Sequence, residues 1–151
     1  MIIIFLCYYR NMKLIRTLHV TSDEFYSHLE KEFIRDAKKN ANKKISVIEK
    51  GLHYSMHGDD RYARIDFKVL EYQRGSLYSL QMKSYTDTIT VVYRTKEVED
   101  GLEVEFEQEI ESEKHKKRNA LSRKFSETVY LSRMSRTIYD IETAIIKERN
   151  K

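Results

Sequence analysis

The sequence predicts an α+β fold that combines an antiparallel sheet of seven strands with a long C-terminal helix. Three observations lead to this prediction. Glutamates alternate with apolar residues in one stretch, six strand-like segments follow one another without a helix between them, and a long amphipathic segment ends the chain. The expected order of elements is β-α-(α)-β6-α, in which the bracketed second helix is left open.

The strongest pattern runs from Gly101 to Ser112, where every second position from 103 to 111 is glutamate and most positions between are apolar. This alternation has the period of a β-strand with one wet face and one dry face. Carboxylates about 7 Å apart in water repel by only about 0.6 kcal/mol, whereas burying a charge costs several kcal/mol. We therefore expect the glutamates in solvent and the other face of the strand against the core.

A strand and a helical region are predicted before the meander. Residues 13–20 are rich in leucine and β-branched residues, which favours a first strand. Thr21 and Glu24 have the spacing of a capping box, and apolar residues then recur at helical spacing as Phe25, Leu29, Phe33 and Ala37. The region ends in the basic stretch 39–43, and either one helix or two short helices would fit it.

Six strand segments follow, because β-branched and aromatic residues alternate with polar ones between short turn sequences. They cover residues 45–50, 52–57, 61–73, 76–85, 88–96 and 102–112. Turns centred on residues 74–75, 86–87 and 100–101 give the facing pairs Phe67–Met82, Val69–Leu80, Glu71–Tyr78, Leu80–Tyr93, Met82–Val91, Val91–Ile110 and Tyr93–Gln108. Each hairpin assigns the same residues to the apolar face. Since a slip of one residue would invert that face, this agreement favours an antiparallel meander.

The C-terminal helix is predicted over residues 119–147. One apolar stripe at helical spacing comprises Leu131, Met134, Ile138, Ile141 and Ile145. A second group, displaced around the helix axis, comprises Leu121, Phe125 and Val129. Either the helix bends to follow the sheet, or the second group contacts another copy of the chain in a homodimer.

Composition favours one domain of a soluble protein. The chain has 151 residues, no proline and four glycines, so no flexible linker is expected. We predict a single domain over residues 12–151 with an N-terminal extension at residues 1–11. The open alternative is that residues 1–11 form a short extra strand or an apolar edge. The apolar run from Ile2 to Cys7 is too short to span a bilayer and lacks the flanks of a signal peptide. Cys7 is the single cysteine, which excludes an internal disulfide and favours a reducing, cytoplasmic location.

This order of elements resembles the helix-grip fold of the START-like (SRPBCC) superfamily over about residues 12–147. The resemblance implies a sheet that wraps around the terminal helix, often with a cavity between them. The chain also resembles the bacterial domain-of-unknown-function family 3284. Residues 12–18 (MKLIRTL) and 22–26 (SDEFY) are similar to the way those proteins begin, and residues 50–54 (KGLHY) are similar to their sequence after the helical region. That family has no assigned activity, so the resemblance implies no functional residues, and residues 1–11 lie outside its pattern.

Aromatic and polar side chains on the predicted apolar face are the candidate ligand-binding residues. They are Tyr54, Phe67, Tyr78, Tyr93 and Gln108 on the sheet, with Met134 and Ile138 on the C-terminal helix. A buried hydroxyl or amide needs a partner, and an aromatic pocket with a few polar groups is typical of small-molecule sites. We expect a small apolar or amphipathic ligand between sheet and helix. The open alternative is a filled core in which these groups pair with one another, and the protein is then a structural or interaction module.

Other functions have weaker support. The sequence lacks the nucleophile, phosphate-loop and metal motifs of common enzymes, so we predict no catalytic residue, metal or cofactor. His53 and His57 would lie about 13 Å apart along one strand face, too far to share a metal ion. Cyclase or hydrolase chemistry, which the fold resemblance implies as a rival, would have to use Glu71 with Tyr78. The acidic outer face of the sheet disfavours nucleic acid as a partner.

Overall fold

The computed structural model describes residues 8–58, 63–112 and 120–151, and within residues 8–9 and 120–127 it describes the backbone alone. The elements in chain order are β1 (Tyr8–Leu18), α1 (Ser22–Ala41), β2 (His53–Met56), β3 (Ile65–Gln73), β4 (Leu77–Lys83), β5 (Asp87–Val98), β6 (Gly101–Ser112) and α2 (Ala120–Arg149). The predicted α+β class, with an antiparallel sheet and a long C-terminal helix, is confirmed.

The strands of the described residues form one antiparallel sheet in the order β1-β6-β5-β4-β3-β2. β1 pairs with β6 along its whole length, from Tyr8 opposite Ser112 to Leu18 opposite Leu102. The strand therefore begins inside the segment 1–11 that was predicted as an extension, because β6 is long enough to pair with it up to Ser112.

The prediction of a strand over residues 45–50 is wrong, and the described residues form a sheet of six strands instead of the predicted seven. These residues form irregular chain between α1 and β2. Their apolar side chains have another explanation, since Ile48 is buried in the core while Val47 is exposed. Hydrogen bonding to β3 begins only at Gly51, whose N–H donates to the Val69 carbonyl at 2.8 Å.

The helical region before β2 is one continuous helix. The predicted capping box is confirmed: the Glu24 N–H donates to Thr21 Oγ1 at 3.1 Å, and the Thr21 N–H donates to Glu24 Oε1 at 2.9 Å. The helix ends at Asn42, whose left-handed φ of 50° is the usual way in which a polypeptide leaves a helix. Its core-facing residues are Phe25, Tyr26, Leu29, Phe33 and Ala37.

Two of the three predicted hairpin registers are wrong by two residues. The β3–β4 pairs Phe67–Met82 and Val69–Leu80 are confirmed. In the other two hairpins the turn lies nearer the N-terminus than predicted, so Val91 faces Leu80 and Gln108 in place of Met82 and Ile110. Because side chains alternate with a period of two, this shift leaves every residue on its predicted face.

A bulge in β3 corrects the predicted pair of Glu71 with Tyr78. The pairing shifts between Val69 and Glu71, so that Tyr72 faces Tyr78 and Glu71 faces Ser79. An extra residue on one strand turns the following side chains to the other face. Glu71 consequently lies on the solvent side, where its carboxylate accepts a hydrogen bond from Lys50 at 2.8 Å.

The glutamates of β6 lie on the outer face of the sheet, as predicted. Lys13 of β1 forms an ion pair of 3.0 Å with Glu105. Glu107 accepts hydrogen bonds from Asn11 and from Arg94, each at 2.8 Å. These hydrogen bonds lower the pKa of Glu107 below its ordinary value and keep the carboxylate charged.

The C-terminal helix turns one apolar stripe to the core. The buried side chains of this stripe are Met134, Ile138, Ile141 and Ile145. The prediction that Leu131 belongs to the stripe is wrong, since 38% of it is exposed. The predicted second group includes Leu121 and Phe125, whose side chains lie outside the described residues, and the homodimer that would use them stays a prediction.

Candidate functional site

A cavity of about 810 Å³ lies between the apolar face of the sheet and the two helices. Strands β2 to β6, α1 and the middle of α2 all contribute lining residues. Of the two helices, α1 packs against β2 and β5, whereas α2 packs against β1 and α1.

Stacked aromatic rings form much of the cavity wall. Tyr54 stacks on Phe67 with ring centroids 4.7 Å apart, and Phe33 of α1 meets Tyr54 edge-on at 5.2 Å. Tyr93 stacks on Phe106 with centroids 4.7 Å apart and an angle of 3° between the ring planes. Cross-strand contacts of this kind hold the rings in fixed orientations, so the wall is a preformed apolar surface.

The polar groups in this wall lack partners within the protein. Among the described residues, the hydroxyls of Tyr54, Tyr78 and Tyr93 and the side-chain amide of Gln108 form no hydrogen bond. The three tyrosines are only 3–6% exposed. Their oxygens are nevertheless not enclosed by protein atoms, so the accessible surface that they retain faces the cavity.

Burial keeps these hydroxyls protonated. Burial, and after it the negative charge of Asp36, raise the pKa of Tyr54 to about 12. Burial also raises the pKa of Tyr78 and of Tyr93 above the ordinary value. At physiological pH each hydroxyl is therefore a neutral group that can both donate and accept a hydrogen bond.

The rim of the cavity carries charged side chains from three elements. Glu32 and Asp36 lie on α1, Asp87 begins β5, and Arg133 lies on α2. The side chains of Glu32 and Asp36 are 37% and 44% exposed, so they meet both solvent and the cavity. Arg35 approaches Glu32 at 2.5 Å and Asp36 at 4.0 Å.

Six of the seven predicted ligand-binding residues line this one cavity. They are Tyr54, Phe67, Tyr78, Tyr93, Gln108 and Met134. Ile138 is not among the lining residues. Its side chain is fully buried, because it lies one helical turn beyond Met134, where α2 has reached the closed core. That these residues bind a ligand stays a prediction.

Sequence reasoning missed Phe106 and the acidic side chains of α1. Phe106 was missed because the predicted register placed Gln108 opposite Tyr93, where the structure places Phe106. Glu32 and Asp36 were missed because the apolar spacing of α1 identifies its core-facing side but does not show that the residues beside it border a cavity. Their spacing of four residues beside the buried Phe33 was the available signal.

The predicted rival pair for enzymatic chemistry does not form. Glu71 lies on the outer face of the sheet, whereas Tyr78 faces the cavity. Within residues 8–58, 63–112 and 120–151, no three His, Cys, Asp or Glu side chains are grouped so that they could hold a metal ion. No helix in this part of the chain is long and apolar enough to cross a membrane.

A comparison with models of known protein families finds a match to this sequence. Residues 12–131 match the family model described as Domain of unknown function (DUF3284). The chain belongs to the DUF3284 family. The predicted resemblance to this family is thereby confirmed. A comparison of this DUF3284 sequence with curated proteins finds no match.

Solved structures similar to this DUF3284 domain share its fold at low sequence identity. A protein of unknown function from Staphylococcus aureus, SA2116, has a TM-score of 0.63 at 15% identity, over 96% of this chain and 98% of its own. The protein Ara h 8.0201 has a TM-score of 0.60 at 8% identity, over 93% and 99% of the two chains. Norcoclaurine synthase from Thalictrum flavum, in complex with dopamine and hydroxybenzaldehyde, has a TM-score of 0.56 at 9% identity, over 94% and 88%. These likenesses support the helix-grip architecture.

Proposed function

We propose that this protein binds a small, partly apolar molecule in the cavity between the sheet and the two helices. The observation that carries the proposal is the set of unpaired hydroxyls of Tyr54, Tyr78 and Tyr93 on an otherwise aromatic wall. Each hydroxyl keeps accessible surface toward the cavity, so it can donate to or accept from a ligand there. In a filled core such groups would pair with one another, so their orientation toward one space favours an occupant with polar atoms.

The dimensions of the site support the same proposal. Small-molecule sites enclose about 300–1,000 Å³ and combine apolar walls with a few polar groups that orient the ligand. The cavity, at about 810 Å³, falls in this range. The structure of norcoclaurine synthase with dopamine and hydroxybenzaldehyde is an example of small aromatic molecules bound by a protein of this fold. The same class of ligand suits the aromatic wall of this chain.

The proposed activity is binding, for storage or sensing, without a chemical step. General acid–base catalysis needs a pair of titratable groups within hydrogen-bond reach of one reacting atom. In the described wall the deep polar groups are three neutral phenols and one amide. The carboxylates lie at the rim, so the arrangement orients a ligand better than it transfers protons.

Native mass spectrometry of the protein purified from its own host tests the proposal directly. A retained small molecule is the expected result, and the double variant Tyr93→Phe with Gln108→Leu should retain less of it. This variant keeps the shape of the wall and removes two polar groups that have no partner, so we expect its stability to equal or exceed that of the wild type.

Tyr26→Phe is the matched control. The Tyr26 hydroxyl lies 2.7 Å from Thr95 Oγ1 and does not line the cavity. Its removal should cost about 1 kcal/mol of stability and leave the bound molecule in place. An empty wild-type protein, or equal loss of ligand in the control and in the double variant, would count against binding in this cavity.

A further inference from the structure

We infer that the ligand carries a positively charged nitrogen, which the carboxylates of Glu32 and Asp36 receive at the rim while the apolar part enters the cavity. This inference rests on the proposed function and specifies the class of ligand. It joins two independent observations: an excess of acidic side chains around the opening, and buried tyrosines with unpaired hydroxyls inside it.

The described residues that line the opening carry a net charge opposite in sign to that of the whole protein. The chain carries a net charge of +4 at pH 7. Among the described lining residues, however, Glu32, Asp36 and Asp87 oppose the single cation Arg133. If Arg35 is counted with the lining because of its contact with Glu32, the acids still remain in excess. A cation is therefore attracted to this opening although it is repelled by the protein as a whole.

The negative potential extends from the rim into the cavity. The charge of Asp36 acts on the hydroxyls of both Tyr54 and Tyr78, where it adds to the effect of burial. The nearby rings of Tyr54 and Phe67 are stacked on each other, and the outer faces of such a pair attract cations. A protonated amine near Asp36 would gain from the carboxylate, from the ring faces and from hydroxyl oxygens that accept its hydrogen bonds.

Among the lining residues that the structure describes, Arg133 alone has a side chain that favours an anion. None of the described ion pairs involves the Arg133 side chain. The hydrogen bond that Thr137 Oγ1 donates to Arg133 at 3.0 Å ends on its backbone carbonyl, so it does not fix the guanidinium. An anionic ligand at Arg133 would have to share an opening with the carboxylates of Glu32, Asp36 and Asp87. In that position like-charge repulsion offsets the gain from the guanidinium, whereas a cationic ligand meets the larger charge.

Three probes with one aromatic body and different charges test the inference. These are naphthylethylamine, naphthylethanol and naphthylacetate, titrated into the full chain and followed by their fluorescence. We expect naphthylethylamine to bind most tightly and naphthylacetate least, with a preference for the amine that weakens as salt is added. Binding of naphthylethanol without a preference for the amine would overturn the inference and leave the proposed function standing. If none of the three probes binds, the proposed function fails as well.

Single substitutions locate the charge. Asp36→Asn should weaken binding of the amine about fivefold and leave naphthylethanol unchanged, since two unit charges about 4 Å apart in water attract by about 1 kcal/mol. Glu32→Gln should act in the same direction, and Asp36→Lys should reverse the preference toward naphthylacetate. Asp140→Asn removes the same charge from the exposed side of α2 and is the matched control. Equal weakening of all three probes by Asp36→Asn would show a structural effect and refute the inference.

Discussion

Substitution of Gly101 by alanine should destabilise the protein by roughly 4 kcal/mol. A Cβ at this position would lie 2.1 Å from the carbonyl oxygen of Leu18 and 3.1 Å from its carbonyl carbon. Both atoms belong to the backbone of β1, so no side-chain rotation can relieve the overlap. The overlap costs about 1–3 kcal/mol by analogy with overpacked cores, and the φ of +149° adds about 1–3 kcal/mol of strain for any residue with a side chain.

Gly51→Ala separates the two contributions. Gly51 also has a positive φ, +90°, but a Cβ there would meet no atom within 4 Å. Its substitution should therefore cost only the strain of about 1–3 kcal/mol. Urea denaturation of both variants, with unchanged denaturant slopes, measures the difference. Equal losses of stability would refute the conclusion that the backbone of β1 contacts Gly101.

Two further predictions concern the helices. Hydrogen bonds from Arg149 and from the Thr21 backbone lower the pKa of Glu24 from 4.5 to about 2, so the stability that its charge contributes is present above about pH 4.5 and is lost as the pH falls toward 2. Glu24→Gln keeps the cap and should lower the melting temperature at pH 7 but not near pH 2; an equal difference at both values would contradict this assignment. Ile138→Ala should lower the free energy of unfolding, measured by denaturation, by about 2–5 kcal/mol because the side chain is fully buried. Leu131→Ala should change the free energy of unfolding by less than about 0.5 kcal/mol. Similar losses in the two variants would place Leu131 in the core.

The two-residue errors in register have a local cause. The pair Asp100-Gly101 is a strong turn signal, and it was placed at the centre of the β5–β6 turn. The structure begins β6 at Gly101 and turns through Glu99 and Asp100, because Val98 pairs with Gly101. Glycine is required there by the close approach of Leu18, a residue that is distant in sequence. A single sequence shows that a glycine is present but does not show whether a turn or a close backbone contact requires it.

The prediction of a strand over residues 45–50 was wrong for a related reason. Its apolar residues have the composition of a strand, and composition alone does not distinguish strand pairing from simple burial. In the structure the ladder with β3 begins only where Gly51 adopts its positive φ and Val69 bonds to both Gly51 and Leu52. The bulge that turns Glu71 outward was equally hidden, since a bulge is defined by two strands together.

The alternation of side chains along each strand explains why most of the lining residues were assigned to the correct face despite these errors. A prediction of the lining needs only the face on which each residue lies, and the register errors in the β4–β5 and β5–β6 hairpins were each two residues. Tyr54, Tyr78 and Tyr93 were therefore assigned to the correct face even where the predicted neighbour was wrong. The bulge in β3 shifted the pairing by one residue, and Glu71 was accordingly assigned to the wrong face. In a helix an error of one residue changes the direction of a side chain by about 100°, so errors in helices are not cancelled in the same way. The charged rim, on which the proposed choice of ligand depends, lies on helices and at a strand end, and the three-dimensional packing of α1 against β2 was needed to place Glu32 and Asp36 at the opening.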